Sequence, residues 1–171
     1  MYANRLMLKL ESLSNDTLPI SALTGTYIIG IVNAIGAFAC ILVIWNVGRR
    51  KIFVGGQLSM GITICLAGIC LLFEWYMVTF ALLCIFVICF QMSQGCVIWV
   101  YVSEVTVDQA SGFVVFGQFI NLTIIALTYE FMIDSELFQL HGTFIYFGVI
   151  CLVGFLFCVA FVKETRGLTD L

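Results

Sequence analysis

Five stretches of the chain are apolar for long enough to cross a bilayer: roughly Leu23 to Val47, Ile52 to Phe73, Tyr76 to Val102, Gly112 to Met132 and Phe144 to Val162. A helix needs about 20 such residues to span the hydrocarbon. Lipid offers no hydrogen bonds, so backbone groups must be paired inside each segment, which predicts helices. Met1 to Pro19 is different. It is mixed in polarity and ends in SNDTLP, which holds the chain's only proline; it reads as a short partial helix at the membrane edge, then a loop. The predicted organisation is residues 1–20, partial helix and loop, followed by residues 21–171, a five-helix transmembrane domain with a short carboxy-terminal tail. The fold class is all-α, a polytopic membrane protein.

The third run is interrupted. Gln91, Ser93 and Gln94 fall inside it, and Trp99 and Glu104 follow near its end. Polar groups at that depth must face protein or a cavity. Small residues four apart, Gly30 with Ala34 and Gly55 with Ser59, predict faces on which helices approach closely. The loop Gly48-Arg49-Arg50-Lys51 is short enough to join antiparallel neighbours.

Composition agrees with a membrane protein. The 171 residues are 63% hydrophobic and 10% charged, whereas soluble domains are about half apolar and about a quarter charged. The net charge of -3 and the lack of a basic run exclude nucleic acid as a partner. In a chain of five spans, four of them separate Arg49, Arg50 and Lys51 from Lys163 and Arg166, so these five basic residues fall on one face, which marks that face as cytoplasmic; Arg5 and Lys9 would lie opposite. All eight cysteines sit in apolar runs without Cys-x-x-Cys spacing and read as small hydrophobes rather than metal ligands. With His141 the lone histidine and no phosphate-binding loop, neither an enzyme nor a cofactor is expected.

The segment Phe90 to Glu104, FQMSQGCVIWVYVSE, resembles the tenth helix of the sugar porters of the major facilitator superfamily at Gly95, Trp99, Ser103 and Glu104. Gln94, Cys96 and Ile98 stand where that family has prolines. Gly30-Ile31-Val32-Asn33 resembles part of its eighth helix, Gly48-Arg49-Arg50 the loop that follows, Asn121 the asparagine of its eleventh helix, and Glu164-Thr165-Arg166-Gly167 the signature after its twelfth. The order is that of the carboxy-terminal half, with Met1 inside the seventh helix. The resemblance implies sugar contacts, working or vestigial, at Asn33, Gln91, Trp99 and Asn121. Amides both donate and accept hydrogen bonds, and tryptophan offers a flat apolar face. Gly48, Arg49, Arg50, Glu104, Glu164 and Arg166 are its motif positions.

The departures set the functional expectation. Trp45 and Asn46 replace an acid and an arginine of the family's loop, no basic residue lies between Glu104 and Gly112, and Leu122 replaces an aromatic. These predict a broken charge network, and the absent prolines predict a straight third span suited to static packing. With no counterpart of the amino-terminal half in the sequence, the expected role is a non-transporting accessory or structural subunit. It would sit in the bilayer with other membrane protein subunits as hetero-oligomeric partners. The alternative is a facilitative hexose transporter, acting as a homodimer or as part of a longer carrier; only then is sugar a ligand. The mitochondrial inner membrane is the preferred location and the plasma membrane the alternative, where the sequon Asn15-Asp16-Thr17 would be available for glycosylation. Asn121-Leu122-Thr123 also fits the sequon pattern but is expected within a helix.

Overall fold

In the computed structural model, which describes residues 2–14, 20–44, 47–106, 108–134 and 139–163, every regular element is a helix. α1 covers Tyr2–Ser14, α2 Ala22–Ile44, α3 Arg49–Leu72, α4 Tyr76–Phe90, α5 Val97–Val105, α6 Asp108–Asp134 and α7 Gln139–Phe161. A π segment, Gln91–Gly95, joins α4 to α5. Five spans result, with α4, the π segment and α5 forming one of 30 residues. Each is long and apolar enough to cross a bilayer, in the order that the apolar runs predict. Asn15, Asp16, Thr17, Trp45, Asn46, Glu164 and Arg166 lie outside the described residues.

α3 is the central helix, with α7 along one side and α4 along another. α2 packs on α4 and the π segment, α1 on α2, and α6 on α7 and α5. In lipid, apolar side chains gain little from leaving the solvent, so close backbone approach carries helix association. Glycines on both partners permit it between α3 and α7. A Cβ on Gly61 would stand 2.8 Å from Leu152 Cδ2, one on Gly68 3.0 Å from the His141 carbonyl oxygen, and one on Gly154 2.8 Å from Gln57 Nε2. Gly30 and Gly55 do not serve this purpose within the chain. Among the described residues, and apart from their own helix backbone, nothing lies within 4 Å of where their Cβ atoms would be, and Ser59 Oγ bonds back to the Gly55 carbonyl at 2.9 Å. Small-residue spacing marks a possible contact face, but the position of the neighbouring helix selects which face is used.

α1 is packed into the bundle. Met7, Leu10 and Ser14, on one helical face, are buried. Glu11 Oε2 accepts a hydrogen bond from the Ala22 amide at 3.1 Å, serving the amino terminus of α2. Arg5 pairs with Glu130 at 2.8 Å, and Lys9 Nζ donates to the Ile133 carbonyl. The two basic residues opposite the main basic face are therefore tied to the end of α6. Elsewhere α6 is little covered, since none of the residues in its most apolar stretch is buried.

The turn after α3 closes with the paired bonds of a Schellman motif. The Trp75 amide donates to the Cys70 carbonyl at 3.0 Å and the Glu74 amide to the Leu71 carbonyl at 3.1 Å. Glu74 occupies the left-handed position, at φ 60°, where glycine is usual.

Candidate functional site

The polar insert of the third span is divided between two neighbours. Ser93 is fully buried against α3, where its hydroxyl donates to the Cys89 carbonyl at 2.7 Å and lies 3.3 Å from Met60 Sδ. Gln94 Nε2 donates to Gln57 Oε1 at 2.6 Å, and Gln57 Nε2 donates to the Cys151 carbonyl of α7 at 3.1 Å. Gln91 faces α2 instead: a Cβ on Gly36 would stand 3.1 Å from Gln91 Cβ. Its amide runs forward along its own span over Gly95, with Nε2 3.9 Å from Cys96 Sγ. The span is not the straight helix that the missing prolines predict. A π turn breaks it at Gln91–Gly95, and Cys96 follows at φ -111°. Proline is one way to interrupt a helix, and a π bulge is another.

The four expected contact residues are partly brought together. Asn33, exposed on α2, precedes Gly36 by three residues, and Gly36 is the point at which α2 meets Gln91. Gln91 is half-buried, and Trp99, two turns further along that span, is 47% exposed. Asn121 is exposed on α6, and no hydrogen bond among the described residues joins it to the other three. The Asn121-Leu122-Thr123 sequon lies inside α6, and the Thr123 hydroxyl is committed to the Phe119 carbonyl at 2.9 Å.

The charged face differs from the expectation of a broken network. Arg49, at the start of α3, donates to Glu104 Oε1 in the last turn of α5 at 2.8 Å, and both side chains are largely covered, at 21% and 14% exposure. Arg50 donates to the Val159 carbonyl of α7 at 3.0 Å. Gly48 is buried immediately before α3. Tyr101 completes the junction: its ring meets Phe53 with centroids 6.1 Å apart, and its hydroxyl accepts from the Lys163 amide at 3.4 Å. Neither Trp45 nor the segment just after Glu104 supplies a charge for this junction, and Glu104 pairs instead with Arg49, 55 residues away in the sequence.

Gln57 was not among the expected site residues. Its only signal in the sequence is an amide in the middle of an apolar run, which requires a partner. Nothing in the run says which helix supplies one.

Five spans with exposed amides at Asn33 and Asn121 and a largely covered Arg49–Glu104 pair define a polytopic membrane protein. The sequence model of the family described as sugar (and other) transporter matches residues 1–170, and the chain belongs to that family. It is 31% identical over 156 residues to the probable metabolite transport protein CsbC of Bacillus subtilis (strain 168), covering 84% of this chain and 32% of that protein. It is 32% identical over 151 residues to D-xylose-proton symporter-like 1 of Arabidopsis thaliana, covering 83% and 29%. The facilitated trehalose transporter Tret1 of Bombyx mori is 28% identical over 152 residues, covering 82% and 30%. The chain thus spans about a third of the length of these relatives. No solved structure matches it.

Proposed function

We propose that this chain forms the carboxy-terminal helical portion of a sugar carrier, with Asn33, Gln91, Trp99 and Asn121 along the sugar path. The family match over residues 1–170 carries this reading, and relatives named for xylose and trehalose support a sugar as the cargo class. Two arguments for a non-transporting subunit have lost their basis, since the Arg49–Glu104 pair is formed and the third span is interrupted.

Asn33 and Asn121 are exposed in spans. An amide pointing into acyl chains is unfavourable, so these faces meet complementary helices or a water-filled path. A sugar hydroxyl both donates and accepts, as an amide does, and the Trp99 ring can pack on the apolar face of a pyranose. The Arg49–Glu104 pair anchors α5 to α3 at one end, while the π turn lies within the span.

The test is uptake of labelled hexose or xylose by the full-length protein in liposomes. Saturable uptake that Trp99→Ala abolishes is the expected result. Absence of uptake together with co-purification of unrelated membrane subunits overturns the proposal in favour of the accessory role.

A further inference from the structure

We propose that Gln57 is a positioning residue that, through Gln94, holds the π turn of the third span and so sets the direction in which Gln91 and Trp99 are presented. The transport part of this inference rests on the function proposed above; the structural part does not.

Gln91 and Gln94 are three residues apart. In an α-helix that spacing leaves two side chains about 60° apart around the axis. A π turn takes roughly one more residue per turn, which widens the separation to about 110°. The wider angle suits the observed arrangement, in which Gln91 meets α2 at Gly36 while Gln94 meets α3 at Gln57. A regular helix would bring the two residues closer to one face of the span.

A π turn needs something to hold it, because its hydrogen-bonding pattern is rarely preferred. Here the support comes from α3. Gln57 is buried, and both ends of its amide are used, Oε1 by Gln94 at 2.6 Å and Nε2 by the Cys151 carbonyl at 3.1 Å. It therefore links three spans through one side chain. Gly56, its neighbour, lies directly against Ser93, and a side chain there would collide with Ser93. Gly154 leaves room for the Gln57 amide on α7. The glutamine thus sits in a fitted place and orients Gln94 rather than merely filling space. None of the four expected sugar-contact residues touches it through a hydrogen bond among the described residues, so any effect on them passes through the π turn.

The consequence is a division of labour in which α3 and α7 form the fixed frame and the π turn is the part that frame holds in register. Trp99 lies four residues beyond Gly95, the last residue of the π turn. Relaxing the turn to a regular helix rotates everything after it, Trp99 included.

The test uses the full-length protein with every tryptophan other than Trp99, Trp45 and Trp75 among them, replaced by phenylalanine. Gln57→Leu, Gln94→Leu and the double variant are compared by Trp99 emission, by its quenching with brominated lipid, and by sugar uptake. Each single variant is expected to move the Trp99 signal in the same direction and to raise KM by roughly fivefold, about the value of one lost hydrogen bond, with kcat unchanged. The double variant is expected to go no further than either single one, because both remove the same link. If Gln57→Leu does not fold, Gln94→Leu carries the same expectation, since it leaves the Gln57–Cys151 bond in place. An unmoved Trp99 signal in a folded variant, or additive effects in the double variant, overturns the inference. A moved Trp99 signal in a protein that takes up no sugar leaves the inference standing and refutes the transport proposal.

Discussion

Replacing Glu104 with alanine tests the charged junction most directly. Arg49 sits in the first turn of α3 and Glu104 in the last turn of α5, so each charge lies at the helix end where the macrodipole disfavours it. Pairing offsets both penalties. The side chains are 21% and 14% exposed, and the contact runs through one guanidinium nitrogen at 2.8 Å, while Arg49 Nε is buried with no partner among the described residues. A pair of this kind lies between a surface pair, worth about 0–1 kcal/mol, and a fully buried one, whose breakage costs about 3–5 kcal/mol. Glu104→Ala is expected to destabilise by about 2 kcal/mol, because it removes the partner and leaves the arginine covered. Glu104→Gln retains an acceptor and is expected to lose about half of that. Arg49→Ala with Glu104→Ala should be less harmful than the sum of the single changes, with a coupling of about 1–2 kcal/mol. Thermal unfolding in detergent micelles, followed by intrinsic fluorescence, compares the two Glu104 variants, Arg49→Ala and the double variant with the unsubstituted protein. Single effects that add to within about 0.5 kcal/mol would falsify the claim that these two residues act as a pair.

Two further changes separate used from unused positions. Gly68→Ala places a methyl group 3.0 Å from a backbone carbonyl of α7 and should destabilise by about 1–3 kcal/mol, whereas Gly30→Ala meets open space and should stabilise by about 0.5–1 kcal/mol; opposite shifts in unfolding temperature are the expected readout, and equal shifts would refute the assigned helix contacts. Glu74→Gly relieves a left-handed residue at φ 60° and should stabilise by about 0.5–1 kcal/mol, measured in the same way; a loss of stability would show that the Glu74 side chain contributes more than its backbone strain removes.

Much of the architecture was legible because its causes are local. The count of five spans, the interruption at Gln91 to Gln94 and the gathering of Arg49, Arg50 and Lys163 near one end follow from apolar length and from the need of each backbone to pair with itself in lipid. The motifs around Gly48, Trp99 and Asn121 were enough to indicate the transporter family. Partner choice was not legible. The sequence could say that Gln57 and Glu104 each required a partner, but not that they were Gln94 and Arg49. It could mark Gly30 and Gly55 as places for close approach, while the structure uses Gly61, Gly68 and Gly154. The missing prolines suggested an unbroken span, yet a π turn supported from α3 interrupts it. The common reason is rotational phase. A helix that is apolar nearly all round, as α2, α4 and α7 are, carries little 3.6-residue contrast in its sequence, so which face turns inward is decided only when the neighbouring helices close on it.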